Sequence, residues 1–97
     1  MVTLTLKRGA TFRTLMKLGF NVRDYTIAST VSRRGREISD LTTRVVNEEF
    51  GWVEIEADAA TTETWPTSLL RMDIQSSLGA EVVQSETILI EVRREIT

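Results

Sequence analysis

Two carboxylates, Glu54 and Glu56, stand two residues apart in the stretch "VEIEA". On a β-strand that spacing puts both on one face, side by side, as a shared metal or an acid–base pair requires. It is also the spacing of any solvated strand face, and Glu48 beside Glu49 next to a turn makes no stronger case. A second candidate is "SRRGRE", where Arg33, Arg34 and Arg36 surround Gly35. Guanidinium forks match phosphate oxygens bidentately. Nucleic-acid-binding sheets, however, interleave such cations with exposed aromatic rings, and no aromatic lies within seven residues of this cluster. A solvated hairpin tip is the favoured reading. The two tryptophans are the remaining candidates. Trp65 stands directly before Pro66, the only proline, at a corner where a large aromatic serves either as an interface anchor or as a plug for the core. Strict alternation turns Trp52 outward beside Glu54, unless a bulge near Gly51 re-aims it.

The chain contains no cysteine and no histidine. Disulfides, thiolate zinc sites and cysteine nucleophiles are thereby excluded, together with any serine–histidine–aspartate triad. The commonest general base and metal ligand is missing as well. The five glycines are scattered singly, so none forms a phosphate-cradling loop ahead of a helix. On these grounds no catalytic residue, no cofactor site and no metal site is assigned. What remains as candidates is a structural corner, Trp65 and Pro66, and an interaction set, Arg33, Arg34, Arg36 and Trp52.

The elements that position these residues follow a period of two. Val2, Leu4 and Leu6 alternate with polar residues, and Phe12, Thr14, Met16 and Leu18 do so after Gly9. Leu15 to Leu18 are good helix formers, but Thr11, Phe12 and Thr14 favour a strand and Gly19 stops it early. Further alternating runs carry Tyr25, Ile27 and Val31, then Leu41, Thr43 and Val45, then Val53, Ile55 and Ala57. Leu70, Met72 and Ile74 form another, "EVVQSE" supplies an arm, and Ile88, Ile90 and Val92 close the series. "DAATTETWP" is polar; Asp58 or Thr61 caps at most one helical turn, which ends before Pro66 because a residue preceding proline is pushed out of the α region. Seven or eight short strands with turn signals every 8–12 residues make an all-β domain over 1–97, a β-sandwich or a small barrel.

The 97 residues carry a net charge of −2, distributed unevenly. Residues 1–46 hold nine Lys/Arg against three Asp/Glu, and residues 47–97 hold three against eleven. Either the split marks a partner surface, or strands from the two halves interleave and neutralise each other. The opening "VTLTLKR" alternates and offers no apolar leader, and no run is long enough to span a membrane.

In order along the chain, "LKRGATF", "VRDYTIASTVSRRG", "FGWVEIEADAATTETWP", "LLRMDIQ" and "SETILIEVRREIT" resemble a group of small all-β proteins encoded among the tail and structural genes of tailed bacteriophages and prophages. Members open on arginine-glycine-aspartate-threonine-phenylalanine, continue through a "DLTGYT" turn into a strand, and then show a tryptophan-proline corner, a strand with an Asp-Ile pair and a valine-threonine-arginine end. Here Arg8-Gly9-Ala10-Thr11-Phe12 carries alanine in place of the aspartate, and Val22 to Thr26 lacks the glycine of the turn. Trp65-Pro66 and Asp73-Ile74 match, and Ile96-Thr97 matches the end without its arginine. The resemblance implies an antiparallel, immunoglobulin-like β-sandwich that works without catalysis as a tail or baseplate component. The partners would be other phage tail or structural proteins and a second copy of the chain, with no membrane involved, in the bacterial host cytoplasm during assembly and then in the virion. The rival readings are a nucleic-acid-binding β-domain using Arg33, Arg34, Arg36 and Arg44, which the acidic pI of about 5.1 opposes, and a carbohydrate-binding module with Trp52 or Trp65 as platform.

Overall fold

Alternation sets the elements. The computed structural model describes residues 2–84 and 87–94, and within them eight strands and one short helix follow in the order β1 (Val2–Lys7), β2 (Phe12–Lys17), β3 (Thr26–Arg33), β4 (Arg36–Asn47), β5 (Trp52–Ala57), α1 (Ala59–Thr62), β6 (Leu69–Leu78), β7 (Glu81–Gln84) and β8 (Ile88–Arg93). Residues 85–86 of the "EVVQSE" arm and the Ile96-Thr97 terminus fall outside the described residues. β5, β6 and β8 bury every second side chain, as a strand with one dry face must. The 11–18 stretch is a strand, β2, despite its helix formers, because its alternate residues face the core from the end of the sheet. Tyr25 lies just ahead of β3 and packs edge-on against Phe20, with ring centroids 5.4 Å apart.

The strands join along one hydrogen-bonded path, β1-β8-β6-β3-β4-β5-β2, with β7 beside β6. The path curls into a nearly closed, barrel-like sheet. The expectation of a purely antiparallel sheet is corrected here, because β1 runs parallel to β8, Val2 opposite Ile88 through Lys7 opposite Arg93. Only a hairpin forces neighbours to run antiparallel, and the first strand reaches the last without one. β4 is long enough at twelve residues to pair with β3 through Leu41 and with β5 from Thr42 onward. It thereby carries the sheet around the core. Met16, Leu18 and Phe20 on one side face Ile74, Ser76 and Val83 on the other across an open cleft of 340 Å³.

The core collects Leu6, Phe12, Val31, Leu41, Val53 and Ile55 with the inward residues of β6 and β8. Trp65 is the largest fully buried side chain, only 1% exposed. Its ring lies 6.1 Å from that of Phe12, tilted by 56°. Asp58 caps α1 by accepting a hydrogen bond from the Thr61 amide at 2.8 Å. Hydrogen bonding from the Thr61 side chain and backbone holds the Asp58 carboxyl below its ordinary value. The helix presents Thr62, whose Oγ1 donates to the Ala10 carbonyl at 2.7 Å and so ties α1 to the β1–β2 loop.

Candidate functional site

Two ion pairs join the basic and the acidic half of the chain across the sheet. On its outer face Arg13 of β2 reaches Glu56 of β5 at 3.1 Å, and Arg44 of β4 reaches Glu54 at 3.3 Å. The register dictates both pairs, since Arg13 stands opposite Glu56 and Arg44 opposite Glu54. The adjacent carboxylates that suggested metal or acid–base chemistry are thus held by separate guanidinium groups. Among the described residues no cluster of three or more metal-binding acidic groups occurs, and no helix is long and apolar enough to cross a membrane.

Two further charged clusters lie at the two ends of β4. At its start, Arg34 and Gly35 form the two-residue β3–β4 turn, with φ of +52° and +79°. Two successive positive φ values are the signature of the hairpin turn whose twist matches that of the strands. Two residues further on, the register slips between Val31 and Ser32, which leaves Ile38 as an extra residue in β4. The slip swaps the side-chain parity, so that Glu37 pairs with Ser32 and points outward where strict alternation would drive it inward. Glu37 is hydrogen-bonded to Asp40, and that bond and the like charge raise its carboxyl above the ordinary range. Arg33, Arg34, Arg36, Ile38 and Pro66 together line an open hollow of 380 Å³. The arginine tip and the tryptophan–proline corner, read from sequence as separate features, meet here. Pro66 contributes to the floor while Trp65 turns into the core.

At the other end of β4 the turn Glu48–Gly51 is held firmly. The Phe50 amide donates to Asn47 Oδ1 at 3.1 Å, and three backbone bonds join this turn to the β2–β3 connection: Val22 N to Glu48 O, Leu18 N to Gly51 O and Gly19 N to Phe50 O. Gly51, at φ +73°, admits a close approach that no side chain permits, because a Cβ there would stand 2.6 Å from the Phe20 carbonyl oxygen. The arrangement props the Phe50 ring outward, 52% exposed, behind Glu48 and Glu49. The Lys17 ammonium lies 5.9 Å from the ring centroids of both Phe50 and Trp52, within cation–π range. Trp52 is half-buried on the outer face. A bulge does occur beside it, in β4 between Val45 and Asn47 rather than at Gly51.

Exposed apolar side chains crowd the same end. Val45, Val46 and Phe50 by the β4–β5 turn and Leu78 and Val82 on the β6–β7 hairpin are each more than two-fifths exposed, as is Leu15 on β2. Trp52 was the one residue here that the sequence singled out. Phe50 was missed, although a phenylalanine inside a polar, acidic turn has nothing local to bury it and is itself the signal. No protein-family model matches this chain, and comparison with curated proteins finds no match.

Proposed function

We propose that this chain is a non-enzymatic structural protein of a phage or prophage particle, a tail or baseplate component that works through protein–protein contacts. The observation that carries the reading is the apolar end, where Val45, Val46, Phe50, Leu78 and Val82 stand exposed around the β4–β5 and β6–β7 turns. Exposed apolar side chains gathered at one end of a small protein mark a site that another surface covers. The motif resemblance supplies the setting. Asp24, which occupies the position of the glycine in the family turn, takes φ +66°, the backbone conformation a glycine adopts there without strain. Within this proposal the curled sheet is an immunoglobulin-like sandwich, one layer running β1-β8-β6-β3 and the other β5-β2, with β4 passing between them.

The carbohydrate alternative loses one of its platforms, since Trp65 is inside the core. The test of the proposal is co-expression with the products of neighbouring structural genes, followed by size-exclusion chromatography. Co-migration with one of them, lost on Val46→Asp or Val82→Asp, is the expected result. Failure of every neighbouring product to co-migrate, with the protein absent from purified particles by mass spectrometry, overturns it.

A further inference from the structure

The two ends of β4 carry unlike surfaces that complement each other. At one end lies a hollow with a rim of three arginines and a floor of Ile38 and Pro66. At the other, a rigid turn projects two carboxylates and a phenyl ring, Glu48, Glu49 and Phe50. Arg13, Arg44, Arg71 and Arg93 have carboxylate partners within 3.4 Å. Among the described residues, Arg33, Arg34, Arg36, Glu48 and Glu49 form no ion pair. Four arginines on the strand faces are thus paired within the molecule, whereas the arginines of the β3–β4 tip and the carboxylates of the β4–β5 turn are left for a partner.

We infer that two copies of this chain join head to tail, the Phe50 ring of one seated in the hollow of the next, with Glu48 and Glu49 against Arg33, Arg34 and Arg36. The inference rests on the reading of the chain as an assembly component and names a second copy as one of its partners. The geometry allows it because the two surfaces cannot meet within one molecule. Twelve residues of β4 separate them, about 40 Å of extended strand, in a body 44 Å long and 25 × 23 Å across. A contact between different patches at opposite ends is heterologous, so it propagates into a stack, or into a ring if the rotation between copies closes. Small patches make it a weak, concentration-dependent contact. Its charged rim makes it sensitive to salt, because the screening length falls from about 30 Å at ~0.01 M to about 3 Å at ~1 M.

The experiment is light scattering of the full chain over a concentration series at both salt extremes. At low salt the mass should climb above 11.0 kDa with concentration, and at high salt it should fall back. Two variants then separate the faces, one carrying Glu48→Gln, Glu49→Gln and Phe50→Ser, the other Arg34→Gln and Arg36→Gln. Each alone should stay monomeric, and their mixture should form a two-subunit species and nothing larger, since each supplies the face the other lacks. All these positions are exposed, and circular dichroism checks that the fold survives. If either variant misfolds, dilution of the wild-type chain followed by two-dimensional NMR serves in its place, with shifts expected only around residues 33–38, 47–51 and 66. A wild-type chain that remains at monomer mass at low salt, or an oligomer that both variants leave intact, overturns the head-to-tail contact. Either result leaves the tail-component reading to its own co-migration test.

Discussion

Removing the Trp65 side chain empties the largest fully buried volume in a small core. Trp65→Ala should lower stability by about 3–5 kcal/mol, read by thermal or urea unfolding; a melting shift of a degree or two contradicts the buried placement. Backbone strain at single residues is the second lever, and two glycines separate its components. Gly35 and Gly51 both hold positive φ, but a Cβ at Gly35 meets nothing within 4 Å, whereas one at Gly51 strikes the Phe20 carbonyl at 2.6 Å. Gly35→Ala should therefore cost only the conformational strain of about 1–2 kcal/mol. Gly51→Ala should cost about 1–3 kcal/mol beyond that, because backbone must move aside. Equal losses for the two variants in urea melts would show that the approach of the two loops is not tight.

At the scale of the element, α1 is too short to stand alone and depends on its ties. Thr62 is fully buried and its hydroxyl bonds the Ala10 carbonyl. Thr62→Val keeps the volume but removes the donor to that carbonyl, for a loss of about 1 kcal/mol; an unchanged urea midpoint would show the bond to be dispensable. The cap gives a pH signature. Hydrogen bonds from Thr61 lower the folded-state value of Asp58 below its unfolded 3.8. A depressed carboxyl contributes stability above the unfolded value and loses it as the pH falls through the folded one. Asp58→Ala should accordingly lower the melting temperature at pH 7, with the two melting curves converging as the pH falls below the folded-state value, where the cap is protonated in both states. A difference that persists undiminished into acid would point to a role other than capping.

For the whole molecule, the first strand pairs with the last, and β6 lies beside β3, over thirty-five residues earlier in the chain. Such non-local closure has to be completed before it is rewarded, which slows folding. Stopped-flow refolding should give milliseconds to seconds, as for other non-local β-folds; microsecond folding would require that most of the stabilising contacts form within hairpins. The same topology brings charges from the basic and the acidic half of the chain into ion pairs. Arg13 and Arg44 come from the basic half and Glu56 and Glu54 from the acidic half, and sheet pairing alone sets them side by side.

Much of this was legible in the residues. Alternation fixes which side chains of β5, β6 and β8 face inward, because a strand has a period of two whatever its neighbours are, and a tryptophan before proline marks a corner. Missing cysteine and histidine excluded whole classes of chemistry. Neighbour choice was not legible. The parallel β1–β8 pair, the passage of β4 from one partner to the next and the slip that places Ile38 arise from how strands meet, and no local pattern encodes that. The candidate surfaces divide the same way. The arginine tip could be read as a hairpin, but its meeting with Pro66 in one hollow, and the projection of Phe50 from the opposite end, depend on packing between segments far apart in sequence. Local stereochemistry reaches only a few residues along the chain, whereas a surface is made by whatever the tertiary fold brings together.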